Sequence, residues 1–164
     1  MPGTLQSFLA TGTTKAVADL QTALGSLPAD KRNWKPSDTS RSALAQIAEC
    51  AILNGIIAQC ATLNGVATNE IPARTWPQDF DYQQYRSDVA ALAKDEGRVV
   101  SLLQENTAKV IEQFHNIPND ELSTEITTPW GMQTLDEIVA YPFWNMTYHM
   151  GQINYIASLL GCLH

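Results

Sequence analysis

Apolar residues recur at helical spacing along most of the chain, and the breaks between the runs set the predicted elements. Leu5, Phe8, Leu9, Val17, Leu20 and Leu24 mark a first helix, with Gly25 as its stop and Pro28 just beyond. Gly12, between Thr11 and Thr13, either weakens the middle of that helix or lets another backbone approach it closely. A polar connector from Ser26 to Ser40 ends in Ser37, Asp38, Thr39 and Ser40, which offer N-cap oxygens to the next element. The second helix then runs from about Arg41 to Leu63 on Leu44, Ile47, Ala48, Ala51, Ile52, Ile56 and Ile57, with Gly65 as its expected terminator. Gln46, Glu49 and Cys50 share a face with Leu53 and Ile57, a polar patch in an apolar surface. The tripeptide Leu-Asn-Gly occurs at 53–55 and 63–65, which is no solenoid signal.

Residues 66–82 hold two prolines and no sustained periodicity, so they form a long crossing, either a functional cover or a poorly ordered connection. The third helix is expected over Gln83 to Asn116, using Val89, Leu92, Val99, Leu103, Val110, Ile111 and Phe114. Ile117 to Asp120 breaks the chain, and the β-branched residues before Pro129-Trp130-Gly131 suggest a short extended hairpin or irregular arm over Ser123 to Met132. Thr134 and Glu137 read as a capping box that starts a fourth helix, which Pro142 kinks or divides and Gly161 closes. Four principal helices with hardly any strand predict an all-α, four-helix bundle occupying 1–164 as one domain.

The most informative run is the last, from Pro142 to Gly161. At about 100° per residue, Asn145, His149 and Gln152 fall within roughly 60° of one another, while Phe143, Met146, Met150, Ile153, Ile156 and Leu160 fill most of the remaining circumference. A helix apolar nearly all round is expected to be buried, and each unpaired amide or imidazole buried with it would cost on the order of 1 to 3 kcal/mol. The Asn/His/Gln stripe therefore needs partners, water or an ion in front of it.

Composition narrows the function classes. Of 164 residues, 45% are hydrophobic and 16% charged, which suits an ordered globular chain. The net charge of −7 and the scattered basic residues disfavour nucleic acid and anionic membrane surfaces as partners, because both draw affinity from Lys/Arg clusters. Uninterrupted apolar runs fall short of the ~18 to 20 residues a bilayer needs, and no basic segment precedes a signal core, so a cytoplasmic location is expected. Cys50, Cys60 and Cys162 form no Cys-x-x-Cys pair and read as free thiols. Ser-His-Asp, Walker and Rossmann motifs are absent. His115, at the end of the third helix, suits the helix dipole, and His164 is a chain terminus. Trp34, Trp76, Trp130, Trp144, Tyr148 and Tyr155 are expected mainly as core, with a ligand pocket as the alternative.

Trp144 to Ile153 followed by Leu159, Leu160 and Gly161 resembles the closing signature of the DinB-like (DinB/YfiT) superfamily, as does Trp34-Lys35-Pro36 followed by Ser42 to Glu49. The resemblance implies an up-down-down-up bundle, commonly a homodimer, with a divalent metal held by one histidine from the second helix and two, four residues apart, from the fourth. Some members are implied to be thiol-dependent transferases or isomerases. Despite a name derived from DNA-damage induction, such proteins resemble no nuclease. Here the corresponding positions are Gln46, Asn145 and His149, so two of three imidazoles are replaced by amides, which bind zinc, nickel or iron poorly.

Three arrangements follow. Gln46, Asn145 and His149 could hydrogen-bond around a buried water in a small-molecule or protein-binding module; a weakly bound divalent metal could persist on His149, an amide oxygen and Glu49; or His149 could act as a general base beside Glu49 or Cys50 without metal. The first makes a binding module, the second a metal-dependent, thiol-using transferase or isomerase.

Overall fold

A computed structural model of the protein describes residues 4–62 and 73–162. Each of the first four helices begins where a side-chain oxygen replaces a missing backbone acceptor. Thr4 accepts from Ser7 N–H ahead of α1 (Leu5–Gly25), and Ser42 from Ala45 N–H ahead of α2 (Ala43–Ala61). Asp81 accepts from Gln83 and Gln84 ahead of α3 (Tyr82–Leu92), and Asp95 from Arg98 ahead of α4 (Glu96–Asn116). The expected hairpin is present as β1 (Glu125–Thr128) and β2 (Gly131–Thr134), antiparallel with Glu125 opposite Thr134 and Thr128 opposite Gly131. Gly131 sits at φ +115°, a conformation that other residues rarely adopt, and so turns the chain directly after Trp130. The Thr134–Glu137 capping box then opens α5 (Leu135–Leu159).

Two expected boundaries move. The third helix is interrupted after Leu92, because the Asp95 carboxylate caps a new start while the Lys94 and Asp95 N–H groups bond back to Ala91 and Leu92. Pro142 lies inside α5 without dividing it. Gly65, the second Leu-Asn-Gly, residues 66–72 of the crossing and His164 lie outside the described residues.

Side-chain bonds fix the helix directions. The Gln6 amide at the start of α1 donates to Ile117 O and Asn119 Oδ1 beyond the end of α4, while Arg32, past α1, pairs with Glu96 at the start of α4, so these helices are antiparallel. Asn106 donates to Ala51 O and Asn54 to Thr107 Oγ1, and Arg74 ties Ala61 O to Asn116 O, so α2 and α4 run parallel. Gln46 meets His149 and Cys50 meets Asn145, so α2 and α5 are antiparallel. The bundle is therefore up, down, down, up, with α1 and α2 on a diagonal and α3 an added short helix against α2.

The helix that is buried nearly all round is α2, with thirteen of its nineteen residues inside. It is long and apolar enough in composition to cross a membrane, yet most of that apolar surface is occupied by the bundle. For α5 the sequence expectation is corrected: Trp144, Tyr148, Tyr155 and Leu159 form an exposed face, and only the opposite side packs inward. A Cβ built on Gly12 would stand 3.2 Å from the Phe143 ring, so that glycine admits a close approach by a side chain of α5.

Candidate functional site

Gln46 and His149 face each other between α2 and α5 because both lie on the inward stripes of antiparallel neighbours. Gln46, Asn145 and His149 are 3%, 2% and 1% exposed, so each polar group must find a partner inside the protein. His149 Nδ1 lies 3.0 Å from Gln46 Oε1 and 2.9 Å from Gln152 Oε1. The Gln46 amide orientation is set by its Nε2, which donates to Arg41 O at 3.3 Å. Two carbonyl oxygens in front of Nδ1 call for a proton there, which leaves Nε2 as the bare nitrogen of a neutral imidazole.

Nε2 faces Glu49 Oε1 at 3.4 Å, and the other Glu49 oxygen is paired with Arg41. Asn145 is placed one turn away from this contact, where its Nδ2 approaches Cys50 Sγ at 3.5 Å rather than His149. The structure thus brings Gln46, Glu49, His149 and Gln152 into one network and sets Asn145 beside it with Cys50.

Burial pushes the His149 imidazole down to about 4; the bond to Gln152 opposes this and the Arg41 charge adds to it. Burial pushes the Cys50 thiol up to about 12, which favours the protonated thiol beside Asn145. Outside the network a groove of about 550 Å³ runs past Arg41, Gln46, Gln152, Tyr148 and Tyr155. Arg41 and Gln152 carry more of the site than sequence reasoning gave them. Gln152 was visible in the helical stripe, but Arg41 precedes its helix and has no periodic signature.

His115 lies on the exposed last turn of α4. Of the six aromatics expected mainly as core, only Trp76 is buried; Trp34, Trp130, Trp144, Tyr148 and Tyr155 are exposed, because an amphipathic ring tolerates a wet edge.

The family model of the DinB superfamily matches residues 13–153. The chain belongs to the DinB superfamily. No curated protein matches the sequence. Among solved structures, YfiT from Bacillus subtilis, described as "a probable metal-dependent hydrolase with an unusual four-helix bundle topology", is similar at TM-score 0.73 and 11% identity, covering 95% of this chain and 87% of its own. A mycothiol-dependent maleylpyruvate isomerase is similar at TM-score 0.71 and 11% identity over 90% of this chain; the match spans only 60% of the isomerase. The colibactin self-resistance protein ClbS, solved in complex with double-stranded DNA, is similar at TM-score 0.65 and 15% identity over 97% of each chain. At these identities the likeness shows the bundle fold shared across the DinB superfamily. That this chain has no nucleic-acid partner is thus an expectation resting on its charge alone.

The donor set decides how well this DinB-superfamily chain fits a metal. Among the described residues, no three His, Cys, Asp or Glu side chains are grouped as they would be around an ion. One imidazole and one carboxylate already paired with Arg41 stand beside neutral amides, and the Gln46 oxygen is engaged by His149 Nδ1. That set does not fit a tightly held transition ion.

Proposed function

We propose that this chain is a small-molecule-binding member of the superfamily, in which Gln46, His149 and Gln152 form a hydrogen-bonded polar core behind the Arg41–Tyr155 groove, with Glu49 and the Asn145–Cys50 pair beside it. The observation that carries it is the pair of amide oxygens in front of His149 Nδ1, which satisfies that nitrogen's N–H from within the protein. Groups that already serve one another hold the groove wall in place and leave no strong ligand set for a metal.

One contact favours the rival, a metal-dependent, thiol-using transferase or isomerase. The bare Nε2 and Glu49 Oε1 face each other as two acceptors, and a weakly bound divalent cation would satisfy both. The two are separated by metal analysis of protein purified without a histidine tag, alongside His149→Ala. The binding module is expected to carry far less than stoichiometric zinc, nickel or iron in both proteins. Stoichiometric metal that disappears in His149→Ala would replace it with the enzyme.

Homodimer formation belongs to the same proposal, supported by the exposed α5 face of Trp144, Tyr148, Tyr155 and Leu159. Light scattering at micromolar concentration is expected to give twice the chain mass of 18.0 kDa. The monomer mass would remove that part.

A further inference from the structure

A second cavity begins one turn further along the α2–α5 interface, roughly 6 Å along α2 from Glu49 to Leu53 at 1.5 Å per residue. It encloses about 190 Å³. Leu53, Ile57 and Ile138 form its aliphatic walls and Trp76, Trp130 and Tyr141 its aromatic ones. Gln133 completes the lining among the described residues, none of which is charged.

Two features distinguish it from a packing defect. Trp76 is 5% exposed, yet its Nε1–H has no hydrogen-bond partner among the described residues. An indole N–H buried without an acceptor is a standing cost that a bound acceptor would relieve. The hairpin also presents an aromatic wall to solvent. Trp130 is 57% exposed, its ring meets Trp76 edge-on at 5.3 Å, and its backbone N–H donates to Thr128 Oγ1, which holds the turn. One face of the cavity is therefore a side chain that a ligand can pass without unfolding the bundle.

We propose that this Trp76–Trp130 cavity is a binding site for an uncharged, single-ring aromatic compound carrying a hydrogen-bond acceptor, which meets the Trp76 Nε1–H. The size sets the class, since an apolar cavity of about 150 Å³ accepts benzene and this one has room for a ring with a small substituent. The lining sets the charge, because an ion would lose its hydration with no counter-charge among the described lining residues to replace it. The site is separate from the His149 network and does not depend on the function proposed above.

The test follows the tryptophan indole N–H signals of the ¹⁵N-labelled chain during titration with acetophenone, ethylbenzene and benzoate. Four tryptophans give four signals, and Trp76→Phe identifies the relevant one. Acetophenone is expected to saturate with a Kd on the order of 0.1 to 1 mM, typical of so few atoms, and to move the Trp76 signal downfield. Ethylbenzene, which has no acceptor, is expected to bind about five- to tenfold more weakly, and benzoate at least about a hundredfold more weakly. In Trp76→Phe the preference for acetophenone over ethylbenzene should fall toward unity. Should that variant not fold, Leu53→Phe places a ring in the same space and is expected to weaken acetophenone at least about tenfold. Absence of saturation by either neutral probe, equal affinity for both, or a preference that survives Trp76→Phe would overturn the assignment.

Discussion

Acidification from pH 7.5 to 4 is expected to cost the wild-type chain on the order of 3 kcal/mol more unfolding free energy than the His149→Gln variant loses over the same range. The sign follows from where the proton goes. Burial holds the folded His149 near 4, against an ordinary value of 6.5, so between those limits the unfolded chain binds a proton that the folded chain refuses. Stability therefore rises with pH through this window, is fully present above about 6.5, and is lost progressively as pH falls toward 4. Other acids titrate in both proteins, so the difference between the two slopes is the measurement, read from urea unfolding at each pH. Glutamine is the control because its amide can still donate to Gln46 Oε1 but cannot be protonated in this range. Equal slopes would mean that His149 is not held neutral.

Arg74→Ala is expected to destabilise the fold by about 3 to 5 kcal/mol, more than an ordinary surface substitution. Arg74 is 7% exposed, and its guanidinium donates from Nε to Ala61 O at 2.8 Å and from Nη2 to Asn116 O at 3.2 Å while pairing with Glu121. It thus satisfies carbonyls at the C-terminal ends of α2 and α4, where a helix runs out of its own donors. Lysine has a single ammonium and cannot reproduce a fork that spans two helix ends, so Arg74→Lys should recover less than half the loss. Glu121→Gln should cost under about 1 kcal/mol, since that carboxylate is partly in solvent. Chemical denaturation of the three variants orders them; an Arg74→Ala protein as stable as wild type would show that the ends of α2 and α4 are held some other way.

Sequence patterns carried the helices further than they carried their surroundings. The apolar spacing from Val89 through Leu103 continues across residues 93–95, so periodicity alone could not show that backbone bonds from Lys94 and Asp95 end one helix while the Asp95 carboxylate caps the start of another. At about 100° per residue Phe143, Met146, Met150, Ile153, Ile156 and Leu160 cluster on one side of α5 instead of filling most of its circumference, and the opposite face carries the exposed Trp144, Tyr148, Tyr155 and Leu159. Within the site, the i, i+3 and i, i+4 spacing of Asn145, His149 and Gln152 was legible, as was a polar face on α2. The choice of partners was not. Asn145 turns to Cys50, and Arg41 reaches Glu49 from outside the helix, because these pairings depend on rotamers and on approach across two elements. Trp76 gave no periodic signal at all, since it sits in an irregular segment and is buried by what folds over it.

Long-range ¹H–¹⁵N imidazole spectra report, atom by atom, whether His149 is neutral with its proton on Nδ1. At pH 7, without added metal, His149 is expected to show a protonated Nδ1 and a bare Nε2, to titrate with a midpoint near 4, and to remain unchanged by one equivalent of zinc. A midpoint at or above 6.5, or a shift of His149 nitrogens that saturates at one zinc per chain, would contradict the hydrogen-bonded core and place a metal where the amides now stand.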